Sequence, residues 1–80
     1  MTFRDKRFAR SGNMYYVKGT EVTIYQWNAG KKANFLVCAG FRNSTHKEKS
    51  IPAGEGARDK AITLALEWAS DPKYKNDKFQ

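Results

Sequence analysis

The chain has 80 residues, a length that sets one domain with a small core. Its 40% apolar and 14% aromatic content exceeds that of a disordered polypeptide, and no apolar run approaches the ~20 residues of a membrane-spanning helix. Fifteen Lys and Arg against eight Asp and Glu give a net charge of +7, which points to an acidic partner and says nothing about fold.

In chain order, residues 1–13 form a basic arm. Arg4, Lys6, Arg7 and Arg10 outnumber Asp5, and Phe3 and Phe8 offer ways to tie the arm down as a short helix or strand. The arm lacks the apolar stretch of a signal peptide, and the lone Cys38 can form no intramolecular disulfide. Both features predict a reducing, cytoplasmic setting. Met14 to Lys18 is rich in strand formers, and Gly19-Thr20 suits a two-residue type II′ turn. Glu21 to Trp27 is the second strand, and Asn28-Ala29-Gly30-Lys31-Lys32 the next reversal. Ala33 to Phe41 is the third strand, with Phe35, Val37, Ala39 and Phe41 marking a buried face by their period of two.

Residues 42–56 read as a long loop, in which Lys47 to Ile51 is a candidate fourth short strand. From about Ala57 to Ser70 an amphipathic helix is expected. Ala57, Ala61, Ile62, Ala65, Trp68 and Ala69 gather on one side, flanked by Leu64 and Leu66, and Asp59, Lys60, Thr63, Glu67 and Ser70 lie opposite. Asp71-Pro72 ends it, because the residue before proline is forced out of the helical region. The expected fold class is α+β: an antiparallel meander of three or four strands with one C-terminal helix on one face. The expected organisation is an arm at 1–13, a domain at 14–72 and a polar tail at 73–80.

One helix covers one face of such a sheet. If Val22 and Ile24 point to the core, Thr23, Tyr25 and Trp27 point away, joined by Tyr15 or Tyr16 according to register. Tyr25 and Trp27 are therefore candidates to stack on nucleobases, to anchor a protein partner, or to pair across strands for stability. Candidate phosphate contacts are Arg4, Lys6, Arg7 and Arg10 in the arm, Lys18, Lys31 and Lys32 at the turns, and Arg42, Lys47 and Lys49 in the long loop. Pro52-Ala53-Gly54-Glu55-Gly56 lacks P-loop spacing and is read as a helix cap. His46 has neither metal-ligand partners nor an identifiable nucleophile at useful spacing, so no enzyme, metal or cofactor is expected. Cys38, in mid-strand, is expected to act as a small core residue, or to face outward with Leu36.

In outline, three antiparallel strands and a packed helix are similar to the sheet-reading DNA-binding domains of some plant transcription factors and integrases. They are also similar to the double-stranded-RNA-binding domain. The latter carries lysines at the start of its last helix, where this chain reads Ala57-Arg58-Asp59-Lys60-Ala61. The first expectation is a small nucleic-acid-binding domain for DNA or RNA. The alternative is a non-enzymatic inhibitor or adaptor that binds an acidic protein, resembling phage accessory proteins that block a host machine. No membrane is expected as a partner, and homodimerisation through an edge strand or the aromatic face is compatible with either function.

Overall fold

The computed structural model describes residues 6–28, 32–40 and 46–79. It is an α+β fold, an open antiparallel sheet carrying one C-terminal helix. The strands are β1 (Phe8–Ser11), β2 (Met14–Val17), β3 (Val22–Trp27), β4 (Asn34–Ala39) and β5 (Lys47–Ile51), arranged β1-β2-β3-β4-β5. The helix α1 spans Ala57–Ala69, and two 3-10 turns follow at Pro72–Tyr74 and Asp77–Phe79.

The sheet therefore has five strands, where three or four were expected. The additional strand β1 comes from the residues read as an arm. Ser11 pairs with Met14 and Phe8 with Val17, and Gly12 supplies a positive φ of 61° in the reversal between them. The β2–β3 connection also differs from expectation. Tyr16 opposite Thr23 centres the reversal on Gly19-Thr20 as expected, but the strands stop at Val17 and Val22 and the connection spans Lys18 to Glu21, whose N–H bonds to Tyr74 O instead of across the hairpin. Thr20 donates from its backbone N–H to the Val17 carbonyl at 3.1 Å, which puts Gly19 (φ 78°) third in a four-residue turn. A side-chain bond from Thr20 Oγ1 to the same carbonyl, 2.8 Å, reinforces that turn.

Register fixes which residues share a face. Phe8, Val17, Val22, Ile24, Phe35, Val37, Ala39 and Ile51 are buried on one side, together with Ala57, Ala61, Ile62 and Ala65 of α1. The alanines let α1 lie close across β4 and β3, and Ile62 fills the space between. Phe41, expected to extend the β4 stripe, lies outside the described residues. Gly56 caps α1 in the left-handed conformation (φ 76°) without a side-chain hydrogen bond, and the Ser70 hydroxyl donates to Glu67 O at 2.6 Å at the other end.

The residues after α1, read as a polar tail, run as a strap past the β2–β3 turn. Asp71 is extended, as the residue before Pro72 must be, and its carboxylate accepts from Lys73 N–H at 3.1 Å. Glu21 N–H donates to Tyr74 O (2.7 Å), Asn76 N–H to Gly19 O (2.8 Å) and Gly19 N–H to Phe79 O (2.7 Å). Asn76 Nδ2 also donates to Glu21 Oε2 at 2.7 Å. Tyr74, only 1% exposed, belongs to the core.

Candidate functional site

The face of the sheet turned away from α1 is built by strand alternation. One cross-strand row is Ala9, Tyr16, Thr23, Cys38 and Glu48, the next is Ser11, Met14, Tyr25, Leu36 and Ser50, and Trp27 sits opposite Asn34 beyond them. Tyr16, rather than Tyr15, joins Tyr25 and Trp27 here. Tyr15 lies opposite Ile24 and packs against the core. Cys38 sits with Leu36 on this face, buried beside Thr23.

Tyr25 and Trp27 stand two residues apart on the central strand, with ring centroids 6.2 Å apart and planes tilted by 33°. Trp27 is 49% exposed, so much of its ring is open to a partner. At the other end of the face the strap brings Phe79 edge-on to Tyr16, with centroids 6.4 Å apart. Phe79 was not singled out in the sequence, although an aromatic within an otherwise polar tail is itself a signal of docking.

Among the described strand residues, this face carries one charge, Glu48. The cations lie elsewhere. Arg10 is on the helix-bearing side, its guanidinium 5.8 Å from the Tyr15 ring centre and its Nε donating to Gly12 O at 3.1 Å. Lys47 and Lys49 also point to that side. Lys47 Nζ lies 5.3 Å from the Trp68 ring centre and 5.6 Å from that of Tyr74, a cation–π arrangement that holds it against the end of α1. Arg7 and Lys18 meet at the rim, where Lys18 N–H donates to Arg7 O at 2.8 Å, and both are exposed. Lys6 and Lys32 are exposed as well, Lys32 two residues before Asn34. Arg4, Lys31 and Arg42 lie outside the described residues. The structure thus brings Tyr25 and Trp27 together and leaves Arg10, Lys47 and Lys49 on the opposite side of the sheet.

His46 is exposed, its ring 5.9 Å from that of Tyr74. Among the described residues no three His, Cys, Asp or Glu side chains gather into a metal-binding group. Burial raises the Cys38 thiol pKa, and Glu48 opposite it adds to the shift. Cys38 is therefore expected to react with a disulfide-exchange reagent at pH 8 far more slowly in the folded protein than in urea. The released chromophore measures both rates, and equal rates would contradict the burial. No helix among the described residues is long and apolar enough to cross a membrane. Comparison with known protein families, with curated proteins and with solved structures finds no match for this chain.

Proposed function

We propose that the protein binds single-stranded nucleic acid across the open face of its sheet, in a reducing, cytoplasmic compartment. The observation that carries this is the pair Tyr25 and Trp27, side by side on the central strand at the exposed end of the face turned away from the helix. Aromatic side chains on an antiparallel sheet stack on unpaired bases whatever the sequence, as in the sheet platforms of RNA-recognition modules. A face whose centre carries no Lys or Arg suits bases rather than a phosphate backbone. The backbone then runs toward the rim, where Arg7, Lys18 and Lys32 are exposed, and the +7 net charge draws it in.

The test is a salt series of titrations with single-stranded DNA and RNA oligonucleotides and with a duplex, read by fluorescence anisotropy. Single strands are expected to bind more tightly than the duplex. With three to five phosphates neutralised, log K should fall with log salt at a slope of roughly −2 to −3.5. Absence of binding at low salt, or a flat salt response, would remove this function.

The absence of strand cations from the same face favours one rival, an apolar protein partner anchored by Trp27 and Tyr25. That partner would be the acidic host protein of an inhibitor or adaptor, its apolar patch on the two rings and its acidic residues toward the exposed rim cations Arg7, Lys18 and Lys32. Capture of such a protein that survives nuclease treatment and is lost in Trp27→Ala would replace the nucleic-acid assignment.

A further inference from the structure

Among the described residues β5 is the last strand of the sheet, and no other strand covers its outer edge. Lys47, Glu48, Lys49 and Ser50 are exposed along it. Because α1 is centred over β4 and β3, a groove of about 670 Å³ remains between β5 and the helix. Ile51, Pro52, Ala57 and Leu64 give it an apolar floor. Lys49 lines it from the strand and Lys60 from the helix.

We propose that this edge accepts an extended peptide from another protein as a sixth, antiparallel strand, with an apolar residue opposite Ile51 and an acidic residue opposite Lys49. A bare strand edge offers unpaired backbone N–H and C=O groups, and strand addition beside a groove is a recurrent way of binding peptides. In an antiparallel ladder, opposed residues point to the same side. Ile51 and Lys49 point to the helix-bearing side, so the residues opposite them enter the groove. The apolar one meets Ile51, Ala57 and Leu64, and the acidic one falls between Lys49 and Lys60. Glu48 points to the open side, so a basic residue suits the next position of the peptide, after the acidic one and opposite Glu48.

Three acidic side chains, Glu55, Asp59 and Glu67, border the same groove and oppose a carboxylate placed away from the two lysines. Lys47 is already held over Trp68 and Tyr74, which leaves Lys49 as the pairing cation.

A second copy of the chain fits this edge poorly. Two antiparallel β5 strands keep their faces aligned only when residues of the same parity are opposed. The fullest register sets Lys49 against Lys49, and like charges directly opposite are destabilising; of the two shorter registers, one sets Glu48 against Glu48 and Lys47 against Lys49, and the other sets Ser50 against Ser50 and the charged Lys49 against the apolar Ile51. Like charges thus oppose self-pairing in the fullest register, while the edge stays open to a strand of complementary sequence.

The test uses two blocked peptides of identical composition and net charge, Thr-Val-Thr-Glu-Lys-Thr and Thr-Val-Thr-Lys-Glu-Thr, in low-millimolar amide NMR titrations of the full chain. The first sets Val opposite Ile51, Glu opposite Lys49 and Lys opposite Glu48, and is expected to bind about tenfold more tightly, because two cross-strand pairs turn from repulsive to attractive. Shifts should be confined to residues 47–51 and the adjoining flank of α1. The surface double variant Glu48→Lys with Lys49→Glu should invert the preference. Equal binding of the two peptides, no shift in those residues with either, shifts on the open face instead, or failure to invert would each overturn the proposal.

Discussion

Replacing both Tyr25 and Trp27 with alanine is expected to abolish single-strand binding while the protein stays folded. Each stacked base is worth roughly 1–3 kcal/mol, so losing two platforms removes about 2–6 kcal/mol, a weakening of roughly thirtyfold to twenty-thousandfold. Trp27 is 49% exposed and Tyr25 is partly exposed, so the double change opens no deep cavity and the far-ultraviolet circular dichroism should be unaltered. Trp27→Phe retains a stacking surface and should recover much of the affinity. Gln26 provides the control on the same strand: it lies on the other side of the sheet, donates to Asn28 O at 3.1 Å, and Gln26→Ala should bind as the wild type does. Arg7→Ala and Lys18→Ala should act differently, lowering the salt slope by about 0.7 each if both contact phosphates of a single strand. Anisotropy titrations of all five variants separate stacking from charge. Wild-type affinity in the double alanine variant would refute the platform.

The parts of this architecture that were legible in the sequence are those where one side of an element is buried and the other is not. β4 alternates Phe35, Val37 and Ala39 inward, and α1 gathers Ala57, Ala61, Ile62 and Ala65 on one stripe. Such patterns are written locally, by burial at a fixed period. β1 offers no such pattern. Of Phe8-Ala9-Arg10-Ser11 only Phe8 is buried, and the segment is a strand because β2 supplies a ladder for it. β5 is more polar still, with Ile51 its single buried residue; its bounds, Lys47 to Ile51, were readable as a candidate fourth strand, and pairing with β4 makes it one. The side on which each cation falls was hidden for a related reason. Alternation gives relative faces within a strand, but only the pairing of Met14 with Tyr25 determines that Tyr16 shares a face with Tyr25 and that Tyr15 and Arg10 do not. A one-residue slip would reverse every one of those assignments. The aromatics expected on the bare face were therefore readable as a group, whereas the separation of Arg10, Lys47 and Lys49 from them required the register.

Tyr74→Ala is expected to cost about 3–5 kcal/mol, the range for emptying a buried aromatic site. An 80-residue domain has about 4–12 kcal/mol of stability in all, so this single change should leave a substantial unfolded fraction at 37 °C. The cost has two sources. The ring is 1% exposed and packs in the core, and Lys47 and Lys73 lie over it with their nitrogens 5.6 and 5.5 Å from its centre. The ring also pins the strap, whose backbone bonds to Gly19 and Glu21 brace the β2–β3 turn and whose Phe79 touches Tyr16 on the open face. Tyr74→Phe should behave in the opposite way. Among the described residues the buried Tyr74 hydroxyl has no hydrogen-bond partner, so deleting it removes a desolvated polar group and keeps the ring, and stability should be unchanged or up to about 1 kcal/mol higher. Urea unfolding midpoints at constant m-value distinguish the two variants. If Tyr74→Phe were as damaging as Tyr74→Ala, the hydroxyl would have to be a bonding group and not a strained one. If Tyr74→Ala were silent, the strap would not be anchored by the core. Phe79 would then reach Tyr16 on the strength of its own backbone bond to Gly19, and the edge of the open face would be set by the 3-10 turn at Asp77–Phe79 alone.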